Sequence, residues 1–208
     1  MIEDKRRLNV IDLFCGCGGL SKGFEYANYN IVLGIDNDPA ALETFEKNHV
    51  NSIKLNRDLS DGTTFDIIKE LVGERAIDVI VAGPPCQGFS LTGPRNFDDE
   101  RNKLYLAVIK AVKEFSPKAF VIENVPGMAK LYNGEVKDEI IKRFTNLGYN
   151  VSNTILCAAD YGVPQMRRRL FFVGLKPEYG RYEFPEPTHT IDNYITCSDA
   201  ISDLPSRE

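Results

Sequence analysis

Two hydrophobic rhythms alternate along the chain. Short β-branched apolar runs recur, and between them apolar residues return at the three- and four-residue spacing of a helix. Residues 8–14 (LNVIDLF) predict a strand, followed by a glycine-rich turn and a helix through about Tyr26. Residues 30–35 (NIVLGI) predict a second strand; Asp38 then caps and Pro39 opens a helix to about Asn48, proline suiting the first helical turn. A third strand is expected to end near Asn56-Arg57-Asp58. Residues 77–82 (IDVIVA) read as a buried strand ended by Gly83-Pro84-Pro85. Residues 101–115 have helical spacing, 118–124 (KAFVIEN) form a strand, and 135–147 are helical. Residues 150–157 and 169–175 predict late strands paired antiparallel. Strands alternating with helices predict an α/β protein with a doubly wound, mostly parallel sheet. After Gly174 the periodicity stops and Pro177, Pro185 and Pro187 accumulate. Residues 1–175 are therefore expected to form the folded domain, and 176–208 a connecting tail.

Length allows one domain: 208 residues, 43% apolar and 26% charged, an ordinary globular balance. No apolar run is long enough to cross a bilayer, and the start MIEDKRRLNVIDLF lacks signal-peptide architecture, so a cytosolic location and no membrane partner are expected. The five cysteines (Cys15, Cys17, Cys86, Cys157, Cys197) are an odd number with no CxxC pair, and His49 and His189 stand alone. That pattern argues against a zinc site and a disulfide framework, and leaves a loop cysteine as a candidate nucleophile. A net charge of −5 excludes a wholly basic, nucleic-acid-gripping surface; the dense basic clusters are Lys5-Arg6-Arg7 and Arg167-Arg168-Arg169.

In doubly wound sheets, ligands bind at the carboxyl ends of the strands. The first such end is Asp12-Leu13-Phe14-Cys15-Gly16-Cys17-Gly18-Gly19-Leu20. Its glycines allow a tight turn and close ligand approach. As a dinucleotide fingerprint it is broken by Ser21, which stands where GxGxxG needs glycine. Alone, the turn is also compatible with a plain strand–helix connection. Acidic residues at the next two strand ends, Asp36 for ribose hydroxyls and Asp58 for an adenine amino group, favour an adenosine-bearing cofactor. Gly83-Pro84-Pro85-Cys86-Gln87-Gly88-Phe89-Ser90 follows the fourth strand directly. Two prolines fix the backbone ahead of Cys86, and the polar segment 90–102 has the composition of a lid. A reactive thiol needs partial exposure and a lowered pKa, which a strand-end loop can supply. Burial is the ordinary fate of a free cysteine. Cys157, in ILCAA, is assigned to the core, and Cys86 to chemistry.

GPPCQGFS resembles the catalytic loop of DNA cytosine-5 methyltransferases, and DLFCGCGGLSKGFE resembles that family's cofactor motif. Glu123-Asn124-Val125 resembles its ENV motif, and Gln165-Met166-Arg167-Arg168-Arg169 its QxRxR motif. The four occur in the family's order across nearly the whole chain. The resemblance implies a Rossmann-like class I methyltransferase sheet and S-adenosyl-L-methionine as methyl donor. It implies double-stranded DNA as substrate, within a restriction-modification system of a bacterial or archaeal cytosol, at the nucleoid. The Cys86 thiolate would add to carbon 6 of a flipped-out cytosine. Glu123, holding a proton in a desolvated pocket, would serve ring nitrogen 3 and the exocyclic amine. Arg169 would hold the cytosine carbonyl oxygen, with Arg167 and Gln165 ordering the site or loop, and Arg168 pointing outward. Phe14 would stack on adenine, Gly16 and Gly18 line the methionine portion, and Leu104 form an apolar wall. Asp36 takes the ribose position, where the family more often has Glu, and Asp58 the adenine amino contact; Gly19, Leu59, Gly83 and Pro85 complete the cofactor set. Residues 201–208 resemble the family's segment just before a variable target-recognition domain. That domain and two late motifs are thus expected elsewhere, on a second polypeptide or lost by truncation, and the isolated chain is expected to be nearly inactive. The other readings are a noncatalytic cofactor-binding subunit, a transfer-RNA cytosine methyltransferase, and a nucleotide-dependent oxidoreductase. Intact Cys86, Glu123 and Arg169 oppose the first, nothing after the QxRxR strand supports the second, and Ser21 opposes the third.

Overall fold

The protein is represented by a computed structural model that describes residues 6–85 and 103–204. Its centre is a seven-stranded sheet in the order β3-β2-β1-β4-β5-β7-β6. The strands are β1 (Asn9–Leu13), β2 (Asn30–Asp36), β3 (Ile53–Asn56), β4 (Val79–Ala82), β5 (Ala119–Asn124), β6 (Asn150–Cys157) and β7 (Arg168–Leu175). The first five are mutually parallel, and β7 runs antiparallel between β5 and β6. The expected late pair is present, and its second strand is also the bridge to the parallel sheet. The helices are α1 (Gly19–Tyr26), α2 (Pro39–Asn48), α3 (Thr64–Val72), α4 (Lys103–Phe115), α5 (Glu135–Asn146) and a short α6 (Cys197–Ile201).

Alternation along the strands divides the core into two layers. Ile11, Leu13, Ile80, Ala82, Phe120 and Ile122 join a cluster with the apolar faces of α3, α4 and α5. Val10, Val79 and Val81 point the other way, onto Leu42 and Phe45 of α2 and Leu20 and Phe24 of α1. Helix α3 is absent from the sequence prediction. Its signal was Phe65, Ile68 and Val72, all buried, at i, i+3 and i+7. Full burial of each such side chain is worth about 1.5–3 kcal/mol, enough to hold a helix that lacks a side-chain N-cap. Helix α2 starts as its sequence predicts: the Asp38 carboxylate accepts from the amides of Ala40 and Ala41, and Pro39 fills the first turn.

Residues 176–204 are tied along the β6 edge. Asn150 donates to the Gly180 carbonyl and Ser152 to that of Tyr182, while Arg181 reaches back to Val151. Further on, the amides of Thr188 and His189 donate to the Asp160 carbonyl, and the Tyr194 hydroxyl to the Asp160 carboxylate at 2.5 Å. No helix among the described residues is long and apolar enough to cross a membrane.

Candidate functional site

Parallel register brings the strand ends that carry the motifs to one edge. Leu13 pairs with Ala82, and Ala82 with Ile122. Because β7 enters antiparallel, its first residues meet the last of β5: Asn124 lies opposite Leu170, placing Arg169 beside Glu123. Phe14, Gly83, Glu123, Arg167 and Arg169 thereby wall a single cleft of about 550 Å³, with Asp12 in its depth. That volume suits a small organic ligand.

On the β1 side the backbone is bent for approach. Phe14 holds φ at 59° and Gly16 at 52°. Left-handed geometry at a bulky residue costs about 1 kcal/mol or more, strain that concentrates at ligand sites. The Gly16 amide donates to Asp36 Oδ2 at 2.8 Å, and the Asp38 amide to Asp36 Oδ1 at 2.9 Å. Asp36 is thus fixed at the end of β2 with further lone pairs on both oxygens. Gly18, at φ 85°, faces away from the cleft: a Cβ there would lie 2.2 Å from Nε2 of His49 and 2.8 Å from the Phe45 ring. Its glycine is required by packing behind the turn. Gly19 lines the cleft. Asp58 is exposed, accepting from the Ser60 amide at 2.8 Å, and Leu59 is buried beneath it. Asp36, Asp58, Leu59, Leu104 and Pro85 all lie outside the cleft lining.

Across the cleft, the Gly83 amide donates to Leu13 O at 3.2 Å. A Cβ on Gly83 would stand 3.8 Å from Glu123 Oε2 and 4.0 Å from Phe14 O, so glycine keeps the passage between turn and carboxylate open. Glu123 meets Arg169 Nε at 2.8 Å and Arg167 Nη2 at 3.5 Å. The desolvated pocket expected for Glu123 is not what its described neighbours provide: its side chain is 24% exposed and faces two guanidinium groups. Arg168 points outward as expected. Gln165 is exposed and outside the cleft lining; its amide donates to Val163 O in the turn that starts the arginine strand. Cys86 and the segment expected to form a lid lie outside the described residues. Cys157 is buried, as assigned, with its flank in the cleft wall. Cys15 also reaches the cleft, but burial, then the charges of Asp12 and Asp36, push its thiol up, which disqualifies it as a competing nucleophile.

Two supporting residues escaped the sequence reading. Asn124 is buried, donating Nδ2 to the Pro84 carbonyl at 2.9 Å and accepting the Val125 amide at 2.8 Å. It bolts the Pro-Pro turn to the strand that bears Glu123. His49 is buried behind the glycine turn, with Nδ1 2.8 Å from Glu25 and Nε2 3.0 Å from Gly18 O. Asn124 stood inside a motif, whereas His49 had no local signal: its partners are more than 20 residues away.

The profile of C-5 cytosine-specific DNA methylases matches residues 8–208. The chain belongs to this family. It is 44% identical over 204 residues to Type II methyltransferase M.DdeI of Desulfomicrobium norvegicum, across 95% of this chain and 48% of that protein. Type II methyltransferase M.AquIA of Picosynechococcus is 36% identical, with 94% of this chain and 88% of that protein covered. The chain thus spans about half the length of most of the curated relatives it matches. Among solved structures, a prophage-encoded DNA modification methyltransferase from E. coli superposes with a TM-score of 0.79 at 33% identity, over 96% of this chain and 56% of that one. Spodoptera frugiperda DNMT2 shares the fold, with a TM-score of 0.67 at 22% identity over 88% of this chain and 54% of that one. The sheet is accordingly Rossmann-like, of the class I methyltransferase kind.

Proposed function

We propose that this chain is the catalytic part of a DNA (cytosine-5-)-methyltransferase, using S-adenosyl-L-methionine to methylate carbon 5 of cytosine in double-stranded DNA. One observation carries the reading: Glu123, paired with Arg169 and Arg167, shares a cleft with the glycine turn of β1 and with Gly83, three residues before Cys86. Family membership supplies the chemistry this arrangement fits.

The residues present suit the cofactor. Phe14, held at positive φ, walls the cleft, Asp36 is fixed at the end of β2 with lone pairs left for ribose hydroxyls, and Gly83 puts no Cβ between the turn after β1 and Glu123. When bound, S-adenosyl-L-methionine supplies an electrophilic methyl group on a positively charged sulfur. Phe14 would stack on the adenine, Asp58 would accept from its amino group, and Gly16 and Gly19 would let the backbone approach the methionine portion.

The protein's own groups prepare the base. Carbon 5 of cytosine is a poor nucleophile, and inside a duplex it is beyond reach, so the base leaves the stack at a cost of a few kcal/mol. The Cys86 thiolate adds to carbon 6, which breaks aromaticity and pushes electron density onto carbon 5. Arg169 holds the cytosine carbonyl oxygen. Glu123 turns from Arg169 and, taking up a proton from solvent, donates it to ring nitrogen 3 as negative charge develops there, while its other oxygen accepts from the exocyclic amine. Arg167 keeps the carboxylate in place. After methylation, loss of the carbon 5 proton and expulsion of Cys86 restore the aromatic ring.

Residues 1–175 act as the catalytic domain, and 176–208 lead towards a target-recognition part on a further polypeptide or segment. The relatives' greater length supports that part, and M.AquIA supports a short catalytic chain. The enzyme works in the cytosol at the DNA, within a restriction-modification system. The test is incubation with duplex DNA and methyl-labelled cofactor, alone and with the polypeptide from the adjacent reading frame. Label in 5-methylcytosine, strong only with the second polypeptide, is expected. Robust transfer by the chain alone refutes the need for a partner, and transfer to transfer RNA but never to DNA refutes the substrate.

A further inference from the structure

Behind the glycine turn lies a buried imidazole that meets an acceptor at each of its nitrogens. His49 follows the last residue of α2 and is 1% exposed, its ring lying against Phe45 with centroids 4.5 Å apart. Nε2 stands 3.0 Å from the Gly18 carbonyl oxygen, and Nδ1 2.8 Å from Glu25 Oε1. A carbonyl oxygen can only accept a hydrogen bond, and so can an ionised carboxylate. Glu25 is ionised: burial raises its carboxyl, but Lys22 and His49 together hold it below the usual carboxylate range. Both ring nitrogens therefore carry hydrogens, and the ring is an imidazolium. Its place at the carboxyl end of α2 also favours a cation. Among the described residues, the other charges that reach it are Lys22 of α1, 2.9 Å from the second oxygen of Glu25, and Asp12 of β1. Asp12 is buried, accepts from the Ser21 hydroxyl at 2.5 Å, and is pushed by burial up to about 7.

The end of α2 thus grips two successive carbonyls of the turn. Asn48 donates to Cys17 O at 3.0 Å, and His49 donates to Gly18 O. The Gly18 oxygen also accepts the Lys22 amide of α1 at 2.9 Å, so it is held from two directions. In a trans peptide the C=O and the following N–H point opposite ways. With the Gly18 carbonyl turned back onto His49, the Gly19 amide is presented on the cleft side. There Gly19 forms part of the wall, and no acceptor among the described residues takes its hydrogen. We propose that His49, clamped as an imidazolium between Glu25 and the Gly18 carbonyl, is a positioning residue for the cofactor turn, and that its proton ties cofactor affinity to pH. The inference rests on the S-adenosyl-L-methionine reading, in which Gly19 lies against the methionine portion.

The direction of the pH effect follows from the two acceptors. While the ring keeps both hydrogens, the clamp is closed and the turn is preset for the cofactor. Once a proton leaves, one nitrogen turns a lone pair towards an oxygen, the contact becomes repulsive, and the turn loosens. Cofactor binding must then restore the proton to close the clamp, so affinity is highest at low pH and falls as pH rises. Asp12 acts in the opposite sense, since its ionisation adds negative charge near the ring and helps to keep the proton on. A hydrogen bond from a charged donor is worth about tenfold or more in affinity.

Two readouts on the same samples test the proposal: the nitrogen-15 signals of the His49 ring, and calorimetric affinity for S-adenosyl-L-homocysteine, which shares the amino-acid end of the cofactor. The chain has two histidines, so His189→Gln leaves His49 as the one imidazole to be followed. Near pH 6 both ring nitrogens should give protonated signals. As pH is raised towards 9, affinity should fall about tenfold in step with loss of the ring proton. Glu25→Gln still accepts from Nδ1 but lacks the charge that holds the proton, and should move both transitions to lower pH together. His49→Phe fills the space without a donor, and should bind about tenfold more weakly than wild type at pH 6 and lose this pH dependence. A singly protonated His49 ring near pH 6 overturns the proposal. So does affinity that stays level while the ring loses its proton, in the wild type or in Glu25→Gln. Failure of the wild type to bind the ligand at any pH overturns the cofactor reading instead.

Discussion

Replacing Asn124 by alanine perturbs the account at the joint between its two halves. The side chain donates to the buried Pro84 carbonyl at 2.9 Å and accepts the Val125 amide at 2.8 Å. Truncation leaves the Pro84 carbonyl without a partner in a dry environment, at a cost of about 1–3 kcal/mol. Val125 is 42% exposed, so its amide regains water and adds only about 0.5 kcal/mol. A global loss of about 1.5–3.5 kcal/mol follows, read as a lower urea midpoint at unchanged slope. The local effect should be larger than the global one. Pro84 stands two residues before Cys86, and a displacement of about 1 Å at a nucleophile costs about a hundredfold in rate. Asn124→Asp separates the two effects, since it still accepts from Val125 but cannot donate to Pro84. Methyl transfer by the completed enzyme should fall about a hundredfold in both variants, while cofactor affinity changes less than about threefold. Asn124→Asp with wild-type transfer and wild-type stability would show that the carbonyl clamp does not position the loop.

Other substitutions probe the remaining walls. Gly18→Ala combines positive φ with a Cβ that would sit 2.2 Å from the His49 ring, and should cost about 2–4 kcal/mol in urea unfolding and weaken cofactor binding; a variant within about 0.5 kcal/mol of wild type would place that packing elsewhere. Glu123→Gln keeps shape but removes the ion pair with Arg169, and should lower methyl transfer about a hundredfold or more with cofactor affinity intact; wild-type transfer would free Glu123 of its role. Asp12 makes stability depend on pH in a direction opposite to that of an ion-paired carboxylate. Its folded pKa, about 7, lies above the ordinary 3.8, so its contribution to stability is complete below about pH 4 and is lost as pH rises to about 7. The loss amounts to at most about 4 kcal/mol. Relative to wild type, Asp12→Asn without cofactor should gain stability between pH 5 and pH 8, and parallel unfolding midpoints across that window would contradict it.

Strand and helix periodicity carried most of the architecture, because buried parallel strands must be apolar on both faces and their helices on one. VIVA of β4 and AFVIEN of β5 read this way without ambiguity. Helix α3 was overlooked because Ile67 and Leu71 stand beside Phe65, Ile68 and Val72 and blur the polar face that would have marked its period. At the site, Glu123, Arg167 and Arg169 were legible as motif residues, and the antiparallel entry of β7 explains why residues over 40 apart in sequence meet. Gly18 shows the opposite case. Its glycine read as a ligand contact, and the fold uses it to clear His49, a contact between distant segments that no local pattern encodes. Ser21 read only as a break in a dinucleotide fingerprint. In the fold it is the hydroxyl that fixes Asp12.

The central claim is that a thiolate at position 86, beside Glu123, attacks carbon 6 of a cytosine drawn from DNA. Duplex DNA carrying 5-fluorocytosine at the target position lacks the carbon 5 proton whose loss allows Cys86 to leave. Incubated with the completed enzyme and cofactor, it should give a denaturation-resistant adduct of one protein per site, mapped by mass spectrometry to Cys86 and absent in Cys86→Ser. An adduct that survives Cys86→Ser, or 5-methylcytosine formed by that variant at the wild-type rate, would contradict the claim.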